Sequence, residues 1–407
     1  MSSLSPVTLG MLFGHRPFRF YFFGRTVSRF CYQIAAVAMG WQIYALTSSA
    51  FDLGMVGLVQ FIPTGALVFA AGHVADRYDR KRVMQICQTA AGLTAVYLAW
   101  GTFAGWLTVP GIFVAVAVLG AATAFENPAA ASLLPGVVPQ GMLQKAAALS
   151  TGAAQVALIS GPAVGGLAYA LTPAAPYALM VVGWMMAWAL SGAIKLDRPV
   201  AEKEPPTFAA LFAGVGFVRS NPAILGTISL DLFAVLLGGV TTLLPIYTRD
   251  ILRIGPWGLG VLRAAPAVGS LLMTVFLAHY PINRGVGKRM FEGVIIYGLA
   301  TIAFAVSHLL WLSILALVIL GAADTVSVVI RLSLVQLATP DDMRGRVSAV
   351  NFLFINASNQ LGGFESGLTA AWFGAMPAAL LGGVGTILVA LLWMKWFPAL
   401  RNLERLE

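Results

Sequence analysis

The sequence predicts an all-α integral membrane protein of twelve transmembrane helices in two pseudo-symmetric six-helix bundles. Apolar runs long enough to cross a bilayer recur from about Phe20 to Phe397. Lys and Arg fall almost entirely in every second gap between those runs, the pattern left when basic residues are retained in the cytoplasm during insertion. The chain also repeats itself: Leu119-Gly120-Ala121-Ala122 recurs 201 positions on as Leu320-Gly321-Ala322-Ala323. At the same shift Pro139, Met142, Lys145 and Gly161 fall on Pro340, Met343, Arg346 and Gly362. One shift serving two successive helices and their loop predicts two halves related by an axis along the membrane normal.

The gaps, taken in order, set the topology. Arg16 and Arg19 precede the first span, and the segment from Met1 to Gly14 lacks the charged start and cleavable apolar core of a signal peptide, so that span is read as retained. The gap at Ser48 to Gly54 carries no Lys or Arg, whereas the next holds Arg77, Arg80, Lys81 and Arg82. The gap near Trp106 is bare, Lys145 marks the following one, and the gap near Pro173 is bare again. Lys195, Arg198, Lys203 and Arg219 then mark a basic stretch, and Arg249 and Arg253 form the exception on the other side. Arg284, Lys288 and Arg289 fill a basic gap, Ser307 lies in a bare one, Arg344 and Arg346 follow, and the gap at Gly374 is bare. Lys395, Arg401 and Arg405 close the chain on the basic side, so both termini are expected in the cytoplasm.

Residues 1–194 therefore read as an N-terminal bundle, 195–221 as a cytoplasmic linker and 222–407 as a C-terminal bundle. Within the linker, Thr207 to Arg219 spaces Phe208, Leu211, Phe212, Val215 and Val218 close to helical period, with Thr207 as N-cap. A short amphipathic helix on the inner membrane surface is expected there.

Composition excludes several functions. Charged residues make up 10% of the chain and hydrophobic ones 59%, against roughly 25% charged in a soluble domain. At about 20 residues per span, 407 residues hold twelve spans and short loops, with no room for a soluble catalytic domain, and the chain reads as a non-enzyme without cofactors. No Walker loop is present, which leaves ATP hydrolysis unsupported. The net charge of +9 lies beside the spans, where topology and anionic lipid explain it without a nucleic-acid partner. Cys31 and Cys87 fall inside apolar runs and read as packing residues. His15, His73, His279 and His308 lie at or before span ends with no second ligand at metal spacing, so no metal site is expected.

Three motifs carry a resemblance. The gap after the second span reads Gly72-His73-Val74-Ala75-Asp76-Arg77-Tyr78-Asp79-Arg80-Lys81-Arg82. It resembles the G-x-x-x-D-R-x-G-R-K/R-K/R signature loop of the major facilitator superfamily, with Asp79 in place of its glycine. In the fifth span, Ala157 to Gly166 resembles the superfamily's G-x-x-x-G-P-x-x-G-G element. There Pro162 removes a backbone donor, and Gly161, Gly165 and Gly166 offer a flat face for close helix packing. In the second half, Leu230-Asp231-Leu232-Phe233, Gly255-Pro256-Trp257-Gly258-Leu259-Gly260 and the run Thr339 to Asn351 are similar to the efflux branch of the superfamily, which includes the bacterial enterobactin exporter. The resemblance covers essentially the whole chain. It implies a monomeric bacterial inner-membrane exporter driven by the proton gradient, with spans one, four, seven and ten lining a central cavity.

Ionisable residues inside apolar runs are the site candidates, because a charge at mid-membrane costs at least about 2.5 kcal/mol. Counting about 1.5 Å per residue along each span puts Asp231, in span seven, and Asp324, in span ten, near the midplane. Two carboxylates sharing a poorly solvated site cannot both stay ionised easily, which makes them the first proton-coupling candidates, the alternative being that each only caps or hydrogen-bonds a neighbouring helix. Glu126, the third proton-coupling candidate, lies in the inner half of span four beside Asn127 and Pro128, where a broken helix would free backbone carbonyls. Arg25 and Arg29 enter span one from the same side, so an Arg pair with Glu126 is expected, as an ion-pair gate, part of an anionic-substrate site or a static structural pair. Arg263 and Glu365 both fall in the outer half of the second bundle and are expected to form a buried pair or an outer gate. Arg331 lies close to the inner edge and is expected to snorkel to the surface. Trp41, Phe61, Trp184 and Phe233 can line a cavity for an aromatic or amphipathic molecule, or serve as packing and lipid-facing residues.

These readings converge on a secondary transporter that exports a small organic molecule, such as a siderophore or amphipathic drug, in exchange for protons by alternating access. Its partners would be that substrate, protons and membrane lipids. A lipid or lysolipid translocator and a non-transporting membrane sensor or scaffold are the alternatives.

Overall fold

The computed structural model describes residues 9–139, 141–195, 208–282 and 284–405, and among them it is helical without a strand. A short helix α1 (Leu9–Gly14) leads into α2 (Arg16–Thr47), α3 (Ala50–Arg77), α4 (Arg80–Phe103), α5 (Val109–Val137), α6 (Leu143–Leu171) and α7 (Ala175–Gly192). After α8 (Phe208–Ser220) come α9 (Pro222–Leu237), α10 (Gly255–His279), α11 (Val286–Ala305), α12 (Leu310–Leu337), α13 (Asp341–Phe373), α14 (Ala375–Trp396) and α15 (Pro398–Arg401). Six long helices, α2 to α7, thus precede α8, and six, α9 to α14, follow it.

Length and composition alone qualify eight stretches as membrane spans, in α3, α5, α6, α7, α9 with its continuation, α10, α12 and α14. The other four bury polar groups: Arg25 and Gln42 on α2, Gln88 on α4, Thr301 on α11, and Asn351 and Ser358 on α13. Helices that turn a polar face toward protein carry this mixed composition.

The ends follow local chemistry. Asp79 takes φ −58° and ψ 109°, and its carboxylate accepts from the Lys81 N–H at 3.0 Å, so it is the N-cap of α4. The aspartate that departs from the signature glycine therefore needs no left-handed backbone. Lys81 Nζ donates to Ile194 O, just past the end of α7, at 2.9 Å, and Arg80 Nε donates to Ala75 O at 3.1 Å. Both place cations against carbonyls near helix ends, where they are favoured. Arg77 is exposed, Gly72 lies within α3, and the side chain of Asp76 is outside the described set. Asn221 caps α9 through the N–H groups of Ala223 and Ile224, with Pro222 in the first turn.

The chain forms two compact units. The first comprises Met1–Met39 with Ile62–Pro206. Its core joins Tyr21, Met84, Cys87, Ala129 and Leu133 from α2, α4 and α5. On α6, a Cβ added at Gly161 would lie 2.5 Å from Gln33 Cβ, and one at Gly165 would lie 3.1 Å from Ile34 Cα. Gly161, Pro162, Gly165 and Gly166 are all buried, so this glycine face is where α6 meets α2. Contrary to the expectation of a broken span four, α5 continues through Pro128 and Pro135.

The second unit comprises Gly40–Phe61 with Thr207–Glu407. Leu230, Phe291, Ile330, Val389 and Trp393 form its main core. Helix α9 stops at Gly238 and Gly239 and resumes as a 3₁₀ turn (Val240–Leu243), a short helical stretch (Leu244–Ile246) and a π-turn (Tyr247–Ile251). Tyr297 OH donates to Gly238 O at 2.9 Å across this break, and a Cβ at Gly238 would collide with the Tyr297 ring at 2.7 Å. Arg249, the exception in the charge pattern, donates to Tyr44 O at 2.8 Å and sits 5.3 Å over the Tyr44 ring, while the Tyr44 hydroxyl donates to Asp250. Helix α8 packs its Gly214 and Val218 side on α13, a Cβ at Gly214 lying 2.9 Å from Arg346 O. Thr207 and the side chains of Phe208, Leu211 and Phe212 lie outside the described set.

Candidate functional site

Two buried charge clusters emerge, one in each unit, each joining the first and fourth long helices of its half. In the first unit, α2 contributes Arg25 and Ser28, α4 Gln88, and α5 Glu126 and Asn127. Glu126 is fully buried; it accepts from Ser28 Oγ at 2.8 and 3.1 Å and from Gln88 Nε2 at 3.2 Å, and pairs with Arg25 Nη1 at 3.3 Å. The second terminal nitrogen of Arg25 donates to Asn127 Oδ1. Arg29 instead donates to Ser150 O at 3.1 Å on α6. Of the two arginines expected near Glu126, Arg25 makes the pair. With a cation and two neutral donors on one carboxylate, the charge of Glu126 is compensated in place.

In the second unit, Asp231 on α9 and Asp324 on α12 line one small cavity together with Ala234, Val235, Val294, Tyr297 and Ser327. Its volume of about 20 Å³ holds about one water molecule. The two carboxylates are not equivalent. Arg331, only 3% exposed, forms an ion pair with Asp231, whereas no cation lies within ion-pair distance of Asp324 among the described residues. This corrects the expectation that Arg331 snorkels outward. Asp324, Ser327 and Arg331 are spaced three, four and seven apart, which puts them on one helix stripe facing α9. The seven-residue spacing was the available signal, and counting depth along the span misses it.

The structure also corrects the expected Arg263 to Glu365 pair. Among the described residues no ion pair joins them: Glu365 accepts from Thr369 Oγ1 at 2.7 Å within its own helix α13, while α10, which carries Arg263, packs on α12. The described residues contain no cluster of His, Cys, Asp and Glu able to hold a metal. Trp184 is fully buried against Tyr32, a packing role, and Phe233 stacks near Trp393 with ring centroids 5.3 Å apart.

The sequence profile of the Major Facilitator Superfamily matches residues 21–363. An enterobactin exporter of Salmonella typhimurium is 24% identical over 408 residues, covering 98% of this chain and 96% of its own. One of Shigella dysenteriae is 25% identical over 391 residues, covering 94% and 88%. Among solved structures, a bacterial homologue of the human lysosomal transporter Spinster, in an inward-facing occupied conformation, superposes with a TM-score of 0.76 at 13% identity, covering 94% of this chain and 96% of that one. The nucleoside transporter NupG does so with a TM-score of 0.71 at 15% identity, covering 94% and 99%. With twelve long helices in two sets of six among the described residues and a profile match over most of its length, the chain belongs to the Major Facilitator Superfamily and is a multi-pass membrane transporter, not an enzyme.

Proposed function

We propose that this transporter exports a small organic molecule across a bacterial inner membrane in exchange for protons, by alternating access, and that Asp324 is the carboxylate that takes up and releases the proton. The observation carrying this reading is the inequality of the two cavity carboxylates: Asp231 is neutralised by Arg331, and Asp324 has no cation within ion-pair distance among the described residues. A carboxylate in a water-sized cavity without a fixed counter-ion changes the local charge by a full unit when it binds a proton. For protonation to shift a conformational balance, it must favour one state by a few kcal/mol. Loss of an uncompensated charge from a poorly solvated site is an interaction of that size. Glu126, by contrast, has its charge met by Arg25, Ser28 and Gln88, which supports a static role.

In this reading both termini face the cytoplasm, residues 1–194 and 222–407 are the two moving halves joined by residues 195–221, and the protein works as a lipid-embedded monomer. Because the named relatives are enterobactin exporters, a siderophore of that class is the first substrate to try. The test is proton release on adding enterobactin to purified protein in weakly buffered detergent. Release from the native protein, absent in Asp324→Asn and retained when the substitution is placed on exposed Asp79, supports proton-coupled export. Substrate binding without proton release, or an unchanged response in Asp324→Asn, refutes the coupling assignment.

A further inference from the structure

A second feature of the C-terminal unit lies on the opposite side of α12 from the carboxylate cavity. Helices α10, α11 and α12 enclose a groove of about 670 Å³, within the range of sites that bury a sizeable ligand. Its walls are apolar, among them Met273, Phe276 and Leu277 of α10, Ile296 of α11 and Ile319 of α12. Its floor is set by small residues. A Cβ at Gly293 on α11 would lie 3.0 Å from Ala323 O, and Ala322 and Ala323 replace bulk on α12. Close approach of two helices through such residues leaves a hollow where longer side chains would stand.

The mouth of the groove is polar and basic. Arg284, Arg289, Glu292 and Tyr280 line it, Tyr280 being 67% exposed. Arg289 pairs with Glu292 at 3.1 Å, so two guanidinium groups face one carboxylate and the rim stays net positive. Lys288 is exposed one position away. Helix α11 begins here at Gly285, φ +63°, with no side-chain cap and no acidic residue in its first turn. The Gly287 N–H of that turn donates to Leu403 O at 2.9 Å, so the helix start adds only its dipole to the attraction that the two arginines supply.

An apolar trough ending in a basic rim with an interfacial tyrosine matches one class of molecule, with an anionic headgroup and a long hydrocarbon tail. We propose that this groove binds an anionic phospholipid of the inner leaflet, its phosphate on Arg284 and Arg289 and an acyl chain along Phe276, Leu277, Ile296 and Ile319. The lipid would lie against the helix that carries Asp324, since Ala322, Ala323 and Val326 face the groove while Asp324 and Ser327 face the carboxylate cavity.

The test is thermal unfolding of the purified full chain in a neutral detergent, titrated with phosphatidylglycerol, with phosphatidylcholine of the same acyl chains, or with glycerol phosphate as the headgroup alone. Phosphatidylglycerol should stabilise the native protein at markedly lower concentration than phosphatidylcholine, and glycerol phosphate should do nothing. Arg284→Gln and Arg289→Gln should each weaken that preference about fivefold, the weight of one basic residue beside an anionic headgroup. Exposed Arg16→Gln, a matched loss of charge in the other unit, should leave it intact. Ala322→Phe, which fills the groove, should abolish the preference even if overall stability falls. Equal effects of the two lipids, equal loss with Arg16→Gln, survival of the preference in Ala322→Phe, or full reproduction by glycerol phosphate would each overturn the proposal.

Discussion

Replacing Asp231 and Asp324 by asparagine, one at a time, separates a structural carboxylate from a working one. Asp231→Asn removes the counter-ion of Arg331 and leaves its guanidinium at 3% exposure. Stranding a buried charge in this way costs about 3–5 kcal/mol. At roughly 2–4 °C per kcal/mol for a unit of about 200 residues, the expected fall in Tm is on the order of 6–20 °C. Asp324→Asn leaves no cation behind within ion-pair distance among the described residues, and the amide occupies the same volume in the small cavity. Its stability should stay within about 1 kcal/mol of native, because no buried charge is orphaned. The double change Asp231→Asn with Arg331→Gln should recover most of the lost Tm, since removing both members of a buried pair is close to neutral. Intrinsic tryptophan fluorescence during heating reads all of these. Export into vesicles under an imposed pH gradient supplies the second axis: Asp324→Asn should bind substrate and lose gradient-driven transport. An Asp324→Asn protein as unstable as Asp231→Asn, or one that still transports under the gradient, would refute the division of roles.

Four further outcomes follow from the same geometry. Glu126→Gln should destabilise by about 3–5 kcal/mol by stranding Arg25, whose side chain is 6% exposed. Arg29→Gln should cost no more than about 1.5 kcal/mol for its one hydrogen bond to Ser150 O; equal Tm losses would contradict the assignment of Arg25 as the partner. Gly165→Val should cost about 1–3 kcal/mol by overpacking, because a Cβ there meets the Ile34 backbone at 3.1 Å, while Gly152→Ala in the interior of the same helix, with nothing within 4 Å, should hold or raise Tm in the same melt. Tyr297→Phe removes the bond to Gly238 O at 2.9 Å, worth about 0.5–1.5 kcal/mol. It should reduce gradient-driven export by more than its Tm loss predicts, since Tyr297 also lines the Asp324 cavity and the change removes its polar side-chain atom. Cys31 and Cys87, 1% and 6% exposed, should resist maleimide in the folded protein and react on denaturation.

What the sequence revealed and what it hid divide along a physical line. Charge alternation and the 201-residue repeat report depth and order, because the bilayer acts on every span in the same way. Helix α8 (Phe208–Ser220) covers most of the stretch whose apolar residues are spaced close to helical period. Counting residues from a span edge yields depth but not azimuth. Residue counting places Arg331 close to the inner edge, yet its stripe faces α9, so its charge goes to Asp231 and not to the surface. Arg263 and Glu365 both count to the outer half, but Glu365 is satisfied within α13 and α10 packs on α12. Arg249 broke the charge pattern for a reason carried by distant residues, Tyr44 O and the Tyr44 ring, which no local window contains. Asp79 departed from the signature glycine because capping, not a left-handed turn, is what starts α4.

The two clusters, compared, support placing the proposed coupling residue in the second. Each half ties its first and fourth long helices with a buried Arg–carboxylate pair, but the residues are exchanged: Arg25 on α2 meets Glu126 on α5, while Asp231 on α9 meets Arg331 on α12. A pair of this kind is weak evidence for stability, yet each member demands the other once buried. In the first half the demand is met, with Ser28 and Gln88 completing the carboxylate. The second half carries one carboxylate more. The repeat that sets α5 on α12 puts Ser327 at the place of Glu126 and Asp324 at the place of Thr123, a hydroxyl satisfied by Leu119 O of its own helix at 2.8 Å. A scaffold that needed only packing is served by a threonine there. An aspartate at the same level, beside a cavity for one water, adds a desolvation cost of several kcal/mol whenever it is ionised. In the proposed mechanism that cost is relieved when the charge is removed and restored, the step that proton exchange would supply.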